Sequence, residues 1–142
     1  MASSHDPLAQ TRALVRQVGA EDRVQLRPGF LDETAMAEMF EATDVLMLPY
    51  LKSYGSGLLM LGITFGKYIV ATRSGMEESA SQYPGTILLA GSSAADVRRG
   101  IERAVQRVME GPRSIGGVSP EFDWTNIARR CLSDIGQAVS HR

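Results

Sequence analysis

Residues 44–71 read DVLMLPYLKSYGSGLLMLGITFGKYIVA. The stretch opens on Asp44 to Tyr50 (DVLMLPY), a continuous apolar run. Such a run is the mark of a strand buried on both faces, as in a parallel sheet. A turn follows at Ser53-Tyr54-Gly55-Ser56-Gly57. The uncharged run Leu58 to Phe65 then reads as a buried helix ending near Gly66, and Tyr68 to Thr72 (YIVAT) as a second buried strand. Strands that alternate with helices predict a parallel sheet with helices on both faces.

The same alternation extends in both directions. Upstream, Asp6-Pro7 starts a helix with an N-cap acceptor and a proline in the first turn, and Gly19 stops it. Leu8, Val15 and Val18 share a face of that helix. Val24 to Phe30 reads as a short strand. Asp32 caps a helix with Met36, Met39 and Phe40 inward. Downstream, Thr86 to Ala90 (TILLA) is a further strand, and Ser93 with Asp96 forms a capping box. The helix behind the box carries Val97, Ile101, Ala104, Val105 and Val108 on one face. A loop at 111–121 leads to a last helix at about 123–139, with Ile127, Ala128, Cys131, Leu132 and Ile135 inward. The expectation is one α/β domain over 1–142: a three-layer, Rossmann-like arrangement with a mainly parallel sheet of about four strands.

Composition bounds what such a domain does. The chain has 142 residues, 44% hydrophobic and 22% charged, the make-up of a soluble globular protein with room for a core. Fifteen basic against sixteen acidic residues leave a formal net charge of −1. That balance exerts no bulk pull on nucleic acid or an acidic membrane, so no nucleic-acid partner is expected. The lone cysteine, Cys131, excludes an internal disulfide and sits at core-like helical spacing. The two histidines, His5 and His141, lie at the chain ends, away from where a triad or a histidine-ligated metal would need them. No metal or cofactor is expected. The N-terminus lacks a signal-peptide pattern. The apolar stretch from Val45 to Ala71, despite its Gly62-xxx-Gly66 spacing, is broken by turn residues and two lysines, so no transmembrane segment is expected.

Ligands of open α/β sheets gather at the carboxyl ends of the strands. The richest such end runs from Tyr50 to Gly57. Backbone N–H groups and the positive end of a helix dipole meet near Ser56-Gly57, which favours an anion such as a phosphate. Gly57 admits close backbone approach, Ser56 caps the helix or donates to a phosphate oxygen, and Lys52 adds charge at the rim. The same residues also suit a plain turn and N-cap, and pattern alone allows both. The glycines match neither a Walker loop nor a dinucleotide fingerprint. Gly75-Met76-Glu77-Glu78 follows another strand and suits either a solvated helix start or a ligand contact. Phe30 and Leu31 suit a staple on the next helix, and Trp124 an anchor for the last one. A response-regulator-like domain would need acids at its strand ends, and Asp44 begins its strand instead.

The series Val24 to Leu31 (VQLRPGFL), Asp44 to Tyr50 (DVLMLPY), Ser56-Gly57, Thr64-Phe65-Gly66-Lys67 and Tyr68 to Ala71 (YIVA) resembles the C-terminal half of GT-B retaining glycosyltransferases, of the family-4-like group. Gly75 to Glu78 and Phe122-Asp123-Trp124 fall where that family has further motifs, so the resemblance spans about Leu8 to Ala138. It implies a nucleotide-sugar-binding domain. Phe30 and Leu31 would lie near the base, and Ser56, Gly57 and Leu58 near the diphosphate. Lys52, Ser53, Tyr54, Gly75 and Glu78 would lie at the rim of the donor site. Two departures stand out. The family usually carries two glutamates flanking this glycine, and their positions here hold Ser53 and Leu61. The family's first two strands, with their basic pair, and its acceptor-binding half have no counterpart in these residues.

The implied function is donor binding for hexosyl transfer in polysaccharide or glycolipid biosynthesis, with the nucleotide diphosphate sugar as substrate. The domain would be inactive alone and would need a complementary N-terminal half. No catalytic residue is assignable. The expected location is cytoplasmic, including the inner face of the membrane. The alternative is a non-catalytic interaction module that keeps the fold and has lost donor binding. An open sheet edge would favour a homodimer or a heteromeric partner.

Overall fold

A computed structural model describes residues 6–52, 55–73, 80–112, 115 and 128–129. The chain divides into two compact units, Met1–Ala35 and Met36–Arg142.

The first unit is built on α1 (Pro7–Gln17). Asp6 caps it, its carboxylate accepting from the N–H groups of Leu8 and Ala9. Proline at the first helical position lacks only an N–H that the helix would leave unpaired. Gly19, at φ +61, ends the helix in the left-handed region. Leu8 and Val15 are half-buried and Val18 is exposed, so the expected apolar face forms only in part. Residues 24–30 are not a strand, so where about four strands are expected the described residues hold three. The N–H groups of Arg23 and Val24 both turn back to the Ala20 carbonyl. Pro28 has no N–H to give, and Gly29 stands at φ +115. A strand is held by its neighbour, and among the described residues none lies beside this run.

Helix α2 (Glu33–Ala42) crosses from the first unit to the second, and Asp32 accepts from the Ala35 N–H at its start. Phe40 near its end is buried and stacks on Phe65, ring centroids 5.2 Å apart. Three parallel strands follow: β1 (Val45–Leu48), β2 (Tyr68–Ala71) and β3 (Thr86–Leu88), in the order β1-β2-β3. Leu46 pairs with Ile69, and Val70 with Ile87. Helix α3 (Gly57–Thr64) links β1 to β2, and α4 (Ala94–Glu110) follows β3.

Period-two alternation splits the strand side chains between two cores. Leu48, Ile69 and Ala71 pack with Leu59 and Ile63 of α3, together with Ala80 and Tyr83. Val70, Ile87 and Leu89 pack with Ala104 of α4. The two helices therefore serve opposite faces. All of β2 is buried, whereas Val45 to Met47 of β1 are only half-buried, because β1 is an edge strand. Burial on both faces, expected for 44–50, thus holds only at Leu48 within the strand.

Gly62 explains its own place. A Cβ there would meet Leu46 Cδ2 at 2.7 Å and Ile69 Cδ1 at 3.0 Å, so its small size lets α3 approach the sheet. Gly66, at φ +65, turns the chain into β2. No helix among the described residues is long and apolar enough to cross a membrane. The capping box at Ser93 and Asp96 is present. On α4, Ala104 is buried and Val97 and Val108 half-buried, while Ile101 and Val105 are exposed; the sheet is too narrow to cover the whole expected face. Of the expected last helix at 123–139 only Ala128 and Arg129 are described, and both are helical. Trp124 and Cys131 lie outside the described residues.

Candidate phosphate-binding turn

The carboxyl ends of β1 and β2 are tied together by one side chain. Thr72, buried just past β2, donates from Oγ1 to the Tyr50 carbonyl, while its N–H donates to the Leu48 carbonyl at 3.3 Å. The exit of β1 into the glycine-bearing turn is therefore held against the exit of β2. Thr72 was legible in the sequence only as the end of a strand. No local pattern shows that its hydroxyl would reach back 22 residues to Tyr50.

Ser56 is the N-cap of α3, extended at φ −147 and ψ 113, and its Oγ accepts from the Leu59 N–H at 3.1 Å. The Met60 N–H reaches the Ser56 carbonyl at 3.3 Å. The first turn of a helix leaves its leading N–H groups without helical partners. Here the Gly57 and Leu58 N–H groups have no acceptor among the described residues. Two donors and the positive end of the α3 dipole thus meet at the carboxyl edge of the sheet.

Glycine at 57 is not required by the fold. Its backbone is not left-handed, and a Cβ there would meet nothing within 4 Å; the same holds for Gly55. These residues differ from Gly62, where packing dictates the small side chain.

The other expected site residues distribute unevenly. Leu58 is 38% exposed beside the donors. Lys52 is exposed and makes no ion pair among the described residues. Leu61 is half-buried in α3 and offers no hydrogen-bond acceptor in its side chain. Phe30 is 97% exposed and Leu31 half-buried, both in the first unit. At that exposure Phe30 staples nothing. Ser53, Tyr54, Gly75 and Glu78 lie outside the described residues. Lys67, by contrast, is buried at the amino end of β2, and its Nζ donates to the Glu41 carbonyl at 3.4 Å. It serves the carboxyl end of α2, where a cation is favoured. Among the described residues no cluster of three His, Cys, Asp or Glu side chains is placed to hold a metal ion.

Compared with protein-family models, with curated proteins and with solved structures, the chain matches none. What stands is an α/β chain with a three-stranded parallel sheet.

Proposed function

We propose that the chain is a Rossmann-like donor-binding domain of glycosyltransferase type, which holds a nucleotide diphosphate sugar by its phosphates at Ser56, Gly57 and Leu58. The reading rests on one observation: a glycine that neither backbone conformation nor packing demands stands at a helix start with two N–H donors that have no acceptor among the described residues. Phosphate oxygens would accept from the Gly57 and Leu58 N–H groups, and Lys52 would add positive charge at the rim. The sugar would pass from the diphosphate to an acceptor hydroxyl held by a complementary half, in polysaccharide or glycolipid synthesis at the cytoplasmic side of a membrane. This chain would supply donor binding, and catalysis would need the partner.

Calorimetric titration with UDP, GDP and their sugars tests the reading. Saturable binding is expected, weakened at least roughly tenfold by Gly57→Val, which fills the open volume and costs about 1.4 kcal/mol of affinity. Absence of binding to every nucleotide would leave the domain as an interaction module without a donor.

A further inference from the structure

The paired part of β1 ends at Leu48, opposite Ala71. Pro49, the next residue, has no N–H to give. Residues 50–52 lie outside every strand and helix, and Leu51 and Lys52 are exposed. One hydrogen bond holds this exit. Thr72, one residue past β2 and buried, donates from Oγ1 to the Tyr50 carbonyl. A hydroxyl has a single proton to donate. The Leu48 carbonyl, 3.5 Å from the same oxygen, already accepts from the Thr72 N–H at 3.3 Å. The hydroxyl proton is thus left for Tyr50. Among the described residues no other hydrogen bond reaches residues 49–52.

The two ends of the turn are held by different means. At the far end, Ser56 accepts from the Leu59 N–H, and Leu59 anchors α3 in the core. The Gly57 and Leu58 N–H donors therefore have local support of their own. At the near end, Tyr50 packs its side chain on the same core and gives its carbonyl to Thr72. Lys52 follows two residues later, its Cα no more than about 7 Å from that of Tyr50. The backbone origin of the lysine is thus set from Tyr50, and through it from Thr72.

We propose that Thr72 is a positioning residue of the phosphate turn. Its hydroxyl fixes the exit of β1, and with it the point from which Lys52 reaches a bound diphosphate. Thr72 itself touches no ligand. The proposal rests on donor binding at Ser56, Gly57 and Leu58, and adds to it a buried residue from the neighbouring strand. Lysine is a point charge on a flexible stem. A fixed backbone origin leaves less freedom to be lost when that charge meets a phosphate, so the attraction shows more fully as affinity.

Two measurements on the full chain test it, the first without ligand. Backbone magnetic relaxation reads the order of Leu51 and Lys52 within the folded state. Thr72→Val should lower their order parameters by about 0.2, and Thr72→Ser, which keeps the hydroxyl, should leave them as in the parent. A loss of overall stability alone would not move them. The second is calorimetric titration with UDP and GDP. Lys52→Ala should weaken binding at least roughly threefold in the parent and less than about 1.5-fold in the Thr72→Val background, the coupling that a double-mutant cycle isolates. If Thr72→Val fails to fold, Thr72→Cys, whose thiol is a weak donor, carries both comparisons. Unchanged order at Leu51 and Lys52 would overturn the proposal, as would a Lys52→Ala cost equal in both backgrounds. If neither nucleotide binds the parent, donor binding falls and the ligand part of the proposal with it; lowered order in Thr72→Val would still assign Thr72 its hold on the turn.

Discussion

At the scale of single residues, the buried polar groups are the sharpest handles. The Tyr83 side chain is buried and its hydroxyl has no hydrogen-bond partner among the described residues. Burial, with Tyr68 nearby, pushes its pKa from 10.0 up to about 12. The folded state thus holds this proton more tightly than the unfolded chain does. Its contribution to stability is complete below pH 10 and falls away as pH rises toward 12. Tyr83→Phe removes both the orphan hydroxyl and that alkaline loss. Urea unfolding should find the variant at least as stable at neutral pH, and flatter than the parent above pH 10. Thr72 is the opposite case. Thr72→Val strips the Tyr50 carbonyl of its donor and should cost about 1–3 kcal/mol. If that variant were neutral in urea unfolding, Thr72 would not be what ties the strand exits together. Neither role was readable beforehand. A hydroxyl's partner across 22 residues, or its lack of one, is a property of packing.

At the scale of elements, the ends were more legible than the faces. Asp6, Ser56 and Ser93 each cap the helix that follows them, because an N-cap acts within three residues and needs no tertiary partner. Around Ser93 the box is reciprocal: its hydroxyl accepts from the Asp96 N–H, and the Asp96 carboxylate accepts from the Ser93 N–H at 3.3 Å and also from the Ser93 hydroxyl at 2.6 Å. The Ser93 hydroxyl above all, then its N–H and the Arg99 guanidinium, hold the Asp96 carboxyl below its ordinary pKa. That support is present at neutral pH and is lost as acid protonates the carboxylate. Ser93→Ala should lower stability by about 1 kcal/mol in denaturant unfolding. The face of α4 depends on the sheet beneath it. Gly100 lets the helix close on Leu89 and Val70, both of which a Cβ would meet. Gly100→Val should therefore cost about 1–3 kcal/mol through overpacking, read by the same denaturation. A tolerated valine would mean that the helix can ride higher on the sheet.

At the scale of the whole molecule, the proposed donor binding would be linked to folding. A nucleotide sugar bound only by the folded chain should raise its stability by about 2.7 kcal/mol at a hundredfold excess over Kd. Thermal unfolding with and without UDP- or GDP-sugars reads this directly, and Gly57→Val should cut the gain to about 1.4 kcal/mol or less at the same ligand concentration. An unfolding temperature indifferent to every nucleotide would remove donor binding from the account. The alternation of apolar runs with capped helical runs by itself determined that the chain is α/β with parallel strands, and it marked Ser56-Gly57 as a helix start behind a strand. Those are local properties, carried by caps, turn residues and side-chain period. Only the tertiary structure decided which apolar runs become strands. Residues 45–48, 68–71 and 86–88 find neighbours and pair; residues 24–30 find none among the described residues and stay irregular. Only the tertiary structure, likewise, separated Gly62, small because α3 lies on Leu46 and Ile69, from Gly57, which faces open space. A strand is defined by its partner, and a glycine's purpose by what surrounds it.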